Sequence, residues 1–458
     1  MDFDVAIIGG GSAGYAAASS AQSLGAKVAI IDPGPLGGLC ILKGCMPTKA
    51  ILRSSDIMAL MRRAKEFGIQ PVDAQAHLSA INDRKNKLIK EFADYRIEQL
   101  NSPRFTLIEE RAQFISPHEI QIGNKLLKAR SFIIATGSVI ANYSVPGLKE
   151  TGFVTSDDIL KMREAPDSII VLGAGAVAVE LAQFLLRIGV KVTLLQRSEH
   201  ILSKGDEDLA RPVESRFREE GMDLYTSTKI LRAEKKPEGS VIYFEHEGKE
   251  KKVCARYILQ ALGRRPNTDN LQLESAKIET QKSCIPVDSK MKTNQPHIYA
   301  VGDVNGIHEV VHIAIQQGEI AGYNAINSEN ERELDNRLKA SVVFTDPGVA
   351  SVGLSEKECQ ANNIAYLTAS YSFDDHGKSM CLGEKHGHVK LLCNPVSGEV
   401  IGGHIVGPEA GELIHEIITL MYFRGTVKDM LAIPHYHPTL AEILTYPAEK
   451  LFDKLLSS

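Results

Sequence analysis

The sequence predicts an α/β protein with two Rossmann-like dinucleotide-binding βαβ units and a last segment of mixed α+β character. Three observations carry this. An apolar strand, a glycine-rich turn and a small-residue helix follow one another near the N-terminus. The same order returns from Ser168. Two further short apolar runs end in Ala135-Thr136-Gly137 and in Gly302-Asp303, as strands buried on both faces of a parallel sheet do.

Val5-Ala6-Ile7-Ile8 reads as the first buried strand. It runs into Gly9-Gly10-Gly11-Ser12-Ala13-Gly14 and a helix from Ala13 to Leu24; Lys27 to Ile31 is the next strand, ending at Asp32. Gly9, Gly11 and Gly14 let a pyrophosphate approach the helix start at Ser12 and Ala13, and Asp32 sits where an acid holds ribose hydroxyls. Strand, helix and acid in register make this a specific signal. Helical periodicity covers Cys45 to Phe67 and Leu78 to Leu100, and alternation covers Phe105 to Leu127. In the second unit Ile169-Ile170-Val171-Leu172 is the strand, Gly173-Ala174-Gly175-Ala176-Val177-Ala178 the turn, and Lys191 to Leu195 the next strand. Two fingerprints imply two dinucleotides. Ile258 to Asn267 closes the second unit, and Ile298 to Asp303 is another buried strand. The charged run Asn327 to Lys339 reads as a linker. Beyond Ala340, short strands mix with helices around Glu409 to Arg424 and from Pro438 to Leu455.

A length of 458 residues predicts about three domains. Hydrophobic content of 43% and charged content of 24% describe a soluble chain with ample core. A net charge of -5 gives no reason to expect nucleic acid or an anionic membrane as partner. Seven scattered cysteines do not form a secreted disulfide framework. The acidic start Met1-Asp2-Phe3-Asp4, with an apolar run ending at Ile8, predicts no signal peptide. No apolar stretch is long enough to span a bilayer, and the expected location is cytoplasmic.

The most telling stretch is Gly37-Gly38-Leu39-Cys40-Ile41-Leu42-Lys43-Gly44-Cys45-Met46-Pro47-Thr48-Lys49. Two cysteines five positions apart point about 140° apart on a regular helix. If they are bonded, the backbone between them is distorted, and Gly44 permits that. The alternative is two free core thiols. The neighbouring fingerprint favours redox catalysis. Near the C-terminus, His435-Tyr436-His437-Pro438-Thr439 precedes Glu442. Pro438 suits a first helical turn, so His437 is expected at a helix entrance with Glu442 about one turn inside. A histidine fixed by a carboxylate is an acid–base pair; the alternative is a histidine packed near a helix start.

Taken in order, these motifs resemble the flavoprotein disulfide reductases, the class I pyridine nucleotide-disulfide oxidoreductases, with the nearest likeness to dihydrolipoamide dehydrogenase. The resemblance runs over the whole chain and includes Gly263-Arg264-Arg265-Pro266-Asn267 and Phe344-Thr345-Asp346-Pro347. It implies an FAD-binding domain from 1–145 and 268–336, an NAD(P)-binding domain at 146–267 and a dimerisation domain at 337–458. FAD would be held by Gly9, Gly11, Ser12, Ala13, Gly14, Asp32, Gly38, Lys49, Thr136, Gly137, Gly302 and Asp303, and the nicotinamide coenzyme by Gly173, Gly175, Ala178, Arg197 and Gly263. No metal ligands are expected.

The resemblance also assigns chemistry. Cys45 would be the thiolate beside the flavin and Cys40 the thiol that exchanges with substrate. His437, oriented by Glu442 and supplied across a homodimer, would move the proton, while His435 is read as structural. Lys49 would pair with Glu180 near the flavin; otherwise they are a solvated helix charge and an exposed first-turn carboxylate. Asp303 would reach the flavin's ribityl or phosphate region, a helix cap being the alternative.

Departures from the pattern bear on substrate and coenzyme. The His437–Glu442 dyad and the absence of glutathione-binding arginines favour a small, largely apolar disulfide; Leu39, Ile41 and Leu42 around the dithiol fit an apolar entrance, helix core being the equal alternative. Ser19 and Ser20 stand where glutathione reductases carry paired arginines. The chain ends Asp453-Lys454-Leu455-Leu456-Ser457-Ser458, without the terminal cysteine pair of mercuric reductases. Gln196 replaces the ribose-binding acid of NAD enzymes and Arg197 follows it, which predicts NADPH as the preferred coenzyme, with NADH the alternative and His200 and Lys204 as further cations. Competing functions are a diaphorase that reduces a quinone or metal ion, and the E3-type subunit of a 2-oxo acid dehydrogenase complex.

Overall fold

The computed structural model describes residues 1–457, so Ser458 of the C-terminal segment read above lies outside the described residues. The chain gathers into two compact units. One contains Met1–Ala50, Asp83–Asn142 and Gly263–Asp335; the other contains Ile51–Asn82, Tyr143–Leu262 and the residues from Asn336 onward.

The first unit is built on a seven-stranded sheet. Its parallel part runs Thr106–Ile108, Val28–Ile31, Phe3–Ile8, Lys125–Ile134, with Ile298–Ala300 also paired to the last of these. These strands are apolar without alternation because both faces are covered, and Val5 to Ile8, Val28 to Ile31 and Phe132 to Ile134 are buried throughout. The early half of Lys125–Ile134 instead pairs antiparallel with Glu119–Ile122, which pairs with Ala112–Ser116. Here residues alternate, as the sequence from Phe105 to Leu127 does.

The fingerprint helix Ser12–Ser23 buries Ala13, Ala16, Ala17, Ala18 and Ala21. Small side chains there serve one neighbour, the helix Val311–Asn324. A Cβ at Gly318 would collide with the Ala13 carbonyl, and one at Gly322 with the Ala17 carbonyl. The two backbones therefore touch, and the fingerprint helix is fixed in place by shape rather than by large side chains.

The second unit holds three sheets. A parallel sheet runs Asp223–Tyr225, Lys191–Leu195, Ser168–Leu172, Tyr257–Gln260. Lys229–Lys236, Gly239–His246 and Lys249–Ala255 form an antiparallel ribbon. An antiparallel five-stranded sheet, Ala340–Val343, Gly348–Gly353, Val400–Gly407, His388–Cys393, Leu367–Ser372, makes up the last third with the helices Ala410–Tyr422 and Thr445–Ser457. Arg187, only 1% exposed, is bonded to Glu220, Asp56 and Asp346.

The expected helix from Leu78 to Leu100 spans those residues. That from Cys45 to Phe67 is an α-helix over Cys45–Arg62 and a 3-10 turn over Ala64–Phe67. The C-terminal helix begins at Thr445 rather than Pro438, after a separate 3-10 turn over Ala441–Leu444. Among the described residues no helix is long and apolar enough to cross a membrane.

Gly322→Val forces a branched side chain against the Ala17 carbonyl and is expected to cost about 1–3 kcal/mol. The check is the urea midpoint of the transition that reports on this unit; an unchanged midpoint would mean that the helices separate without penalty.

Candidate active site

The first glycine turn is shaped by contacts that leave no room for side chains. A Cβ at Gly9 would collide with the Ala135 carbonyl, and one at Gly14 with the Gly9 carbonyl. Ser12 opens the helix, so the first N–H groups of a 12-residue helix point out of the turn. This is the positive end of the helix dipole and suits a pyrophosphate. Asp32, at the end of its strand, accepts from the Gly10 N–H at 2.7 Å and the Gly34 N–H at 2.8 Å. Each carboxylate oxygen keeps a second lone pair for a ribose hydroxyl.

Other parts of this unit complete the cradle. Thr136 donates its hydroxyl to the Asn267 carbonyl at 2.7 Å, and the Asn267 N–H returns to the Gly137 carbonyl at 2.9 Å. The Gly302 N–H is held by Gln317 Oε1 at 2.7 Å; Gln317 is fully buried and its Nε2 has no hydrogen-bond partner among the described residues. Asp303 accepts from Ser138 Oγ at 2.6 Å, and that hydroxyl accepts from Arg264 Nε at 2.8 Å. Asp303 is therefore no helix cap; Val301 occupies that position. Ser138 and Arg264 were not singled out from sequence as site residues, although Arg264 lies in a motif that was noted. A backbone cradle, a helix N-terminus, an acid for ribose and an orphaned buried amide fit FAD.

The dithiol is attached to this cradle by glycine. Gly38 has φ +76°, and a Cβ there would stand 2.7 Å from Gly11 Cα. Backbone of the dithiol segment thus rests directly on the fingerprint turn. Cys40 follows in the short helix Gly38–Leu42, which ends at Lys43; a second helix starts at Cys45. The break between them is the distortion that the cysteine spacing predicted. Gly44 contributes by size, since a Cβ there would press the Leu39 carbonyl at 3.0 Å and Cys40 Cα at 3.2 Å. Both cysteines are thiols here, and Cys40 hydrogen-bonds Cys45. That bond first, and burial second, pushes the Cys40 thiol far above its usual range, against a smaller opposing pull from Lys49. The Cys40 thiol therefore holds its proton.

In the other unit the second turn has the same construction. Gly173 has φ +95° and a Cβ there would stand 2.7 Å from the Ala261 carbonyl oxygen; Gly175 is open and Ala178 is buried in the helix Ala176–Arg187. Gly263 carries the carbonyl that accepts the Ala141 N–H and belongs to the first unit. Gln196 is buried and donates to the His200 carbonyl at 3.2 Å, while Arg197 and Lys204 are exposed. His200 faces Glu207 at 3.3 Å and Glu214 at 3.8 Å, so its ring is engaged locally. Glu180 is 3% exposed, which overturns the exposed-carboxylate alternative, and its Oε1 accepts the Phe344 N–H at 2.9 Å. Lys49 and Glu180 lie in different compact units.

His437 stands out into solvent, its side chain 82% exposed, with Nδ1 2.9 Å from Glu442 Oε1. Glu442 Oε2 accepts the Thr439 N–H at 2.7 Å. That backbone bond, then the one from His437, holds the Glu442 carboxyl below its usual range. An ionised Glu442 keeps the proton on Nδ1 and leaves Nε2 free to work. The helix starts late because the chain first closes i to i+3 bonds: the Ile443 N–H meets the Leu440 carbonyl at 3.3 Å, and Ala441–Leu444 form a 3-10 turn before the α-helix begins at Thr445. The dyad predicted from sequence is present, on a turn rather than inside a helix. His435 has both ring nitrogens engaged, by Glu416 at 2.7 Å and the Ile433 carbonyl at 2.9 Å, as a structural residue does. His376, buried against Ser379 and Tyr446 and within electrostatic reach of the dyad, had no sequence signal.

Comparison with known proteins bears on these sites. Residues 3–318 match the profile described as pyridine nucleotide-disulphide oxidoreductase, and residues 339–448 match that of its dimerisation domain. The chain is 33% identical over 458 residues to a mercuric reductase of Staphylococcus aureus, covering 100% of this chain and 83% of that protein. It is 31% identical over 446 residues to a dihydrolipoyl dehydrogenase of Bacillus subtilis, with 96% of each covered. Among solved structures it is similar to LpdA from Mycobacterium tuberculosis, with a TM-score of 0.87 at 27% identity over 98% of this chain and 99% of that one.

The proton held on Cys40 gives a direct test. In the dithiol form Cys40 should alkylate slowly through the neutral range, because its folded-state pKa is raised. Cys45→Ala removes the side chain whose hydrogen bond raises it, so the pH midpoint for Cys40 alkylation should fall towards the ordinary thiol value. Mass-spectrometric alkylation rates against pH measure this, and identical profiles would show that Cys45 does not hold the proton in place.

Proposed function

Since the chain belongs to the class I pyridine nucleotide-disulfide oxidoreductases, FAD-dependent enzymes that use a pyridine nucleotide and carry a dimerisation domain for a homodimer, we propose that it is a dihydrolipoamide dehydrogenase-like NAD(P)H:disulfide oxidoreductase. The observation that carries this reading is the Cys40–Cys45 pair, in hydrogen-bond contact and attached through Gly38 to the FAD turn. The functional domains are taken as 1–145 with 268–336 for FAD, 146–267 for NAD(P) and 337–458 for dimerisation.

When bound, FAD supplies the route by which two electrons from the nicotinamide reach the Cys40–Cys45 disulfide. The chain's own residues do the rest. Cys40, losing its proton to His437, attacks one sulfur of the substrate disulfide and forms a mixed disulfide; the first thiolate leaves and takes the proton from His437. Cys45 thiolate then attacks Cys40 Sγ, closing the Cys40–Cys45 disulfide and releasing the second half of the substrate as a thiolate. Glu442 holds Nδ1 of the imidazole, which leaves Nε2 for the proton transfer. We assign His437 to the site across the homodimer, Lys49 and Glu180 to a pair beside the flavin, and Asp303, held by Ser138, to the flavin's polar chain.

NADPH is assigned as the preferred coenzyme. Gln196 brings no negative charge to the ribose, and the exposed Arg197 is free to bond a 2′-phosphate. His200 contributes less than its position in the sequence promised, because two glutamates face it. The substrate is assigned as a small disulfide of the lipoamide type, and docking to a 2-oxo acid dehydrogenase core is compatible with that. A second reading, reduction of a metal ion, is favoured by the similarity to the mercuric reductase.

Turnover with lipoamide, glutathione disulfide, a quinone and a mercuric salt, each with NADPH and NADH, tests the reading. Efficient glutathione disulfide reduction without lipoamide turnover would overturn it. His437→Ala should slow lipoamide turnover about 10²–10⁴-fold, and mixing it with Cys40→Ser should restore activity in hybrid dimers; no recovery would count against a shared site. Arg197→Ala should raise the KM for NADPH about tenfold and leave that for NADH unchanged.

A further inference from the structure

The segment from Arg197 to Gly205 follows the strand Lys191–Leu195 and carries the residues assigned to the coenzyme. Its conformation is unusual. Leu202 has φ +50°, a left-handed backbone that a branched side chain adopts at a cost. The Leu202 N–H bonds the carbonyl of Ala174, inside the second glycine turn, at 2.9 Å. The segment is thus tied to the fingerprint it serves, and something must hold it in that shape.

The holding groups come from the last third of the chain. Lys357 donates Nζ to the Ser203 carbonyl at 3.1 Å. Asp206, where the segment ends, accepts the N–H groups of Glu356 and Lys357, both at 3.0 Å, at the start of the helix Glu356–Ala361. Beneath lies Lys390, on the strand His388–Cys393 and 3% exposed. Its ammonium donates to Asp206 at 2.8 Å, to Asp208 at 2.9 Å and to Glu356 at 3.0 Å. One buried cation therefore meets three carboxylates. Burial alone would raise both aspartates, but the bonds from Lys390, with His388 on Asp208 and backbone N–H groups on Asp206, hold them below the usual range. All three donor positions of Lys390 are used, so it is available to no other ligand. A cleft bordered by Ser198, Ser203 and Lys357 adjoins the segment.

We propose that Lys390 and Lys357 are positioning residues for the nicotinamide coenzyme: they clamp the segment 197–205 in the shape that receives the adenosine end, and Lys390 also cancels negative charge beneath it. This rests on the reading that the second glycine turn binds the coenzyme. It assigns to strand and helix residues of the dimerisation segment a part in coenzyme affinity and selectivity.

The experiment measures steady-state kinetics of the FAD-loaded dimer with NADPH and with NADH, using ferricyanide as acceptor, in Lys357→Met, Lys390→Met and Lys390→Arg. The expected result is a rise of about tenfold in the KM for NADPH in Lys390→Met and a smaller rise in Lys357→Met, with kcat held. NADH should suffer less than NADPH, because the uncovered carboxylates repel the 2′-phosphate, and Lys390→Arg should recover part of the loss. Unchanged KM values in folded variants overturn the proposal, as does a loss of kcat and KM together that merely follows the melting temperature. If Lys390→Met does not fold, the exposed Lys357 decides, since its removal leaves no buried charge unpaired. Gly173→Val separates the two readings: if that variant keeps the wild-type coenzyme KM, the coenzyme site lies elsewhere and the underlying reading fails, whatever the lysine variants do.

Discussion

The contact between Gly38 and Gly11 is the constraint on which the redox site depends. Two backbones meet where no Cβ fits, one belonging to the nucleotide turn and the other to the dithiol segment. Hydrophobic packing could not set this distance so closely, because side chains repack and backbones in contact do not. The position of Cys40 follows, two residues on. The break at Lys43 and Gly44 then turns the chain so that Cys45 opens a new helix within hydrogen-bond reach of Cys40. A cofactor site and a sulfur site become one object through a single close approach.

Electrostatics divides the labour within that object. The bond to Cys45 and burial together hold the proton on Cys40. At the other end of the chain, Glu442 stays ionised because a backbone N–H and His437 both bond it, and the charge orients the imidazole. Neither arrangement needs a strongly basic or acidic surface, in keeping with the modest net charge.

Buried ions do different work in the second unit. Arg187 joins Asp56, Glu220 and Asp346, segments far apart in sequence, and Lys390 joins Asp206, Asp208 and Glu356. Such clusters add little net stability over apolar packing, but removing one partner is costly, so they fix which segments meet. In Lys390 that specificity reaches the coenzyme segment.

Much of this was legible in the residues themselves. Strand–turn–helix order, apolar runs without alternation and glycine at positions of close approach are local properties, and they located both nucleotide turns, the dithiol and the histidine–carboxylate pair. The helix from Leu78 to Leu100 was legible for the same reason, an unbroken period. What the residues could not state was which distant groups meet. Ser138 with Asp303 and Arg264, the burial of Glu180, the placement of His376 and the three carboxylates around Lys390 all join positions tens to hundreds of residues apart. The start of the last helix was not legible either: Ala441–Leu444 close as a 3-10 turn, and propensity does not separate an i to i+3 bond from an i to i+4 bond. Local geometry follows from local sequence, whereas hydrogen-bond partners and burial are chosen by the packing of the whole chain, and that choice only the tertiary structure made.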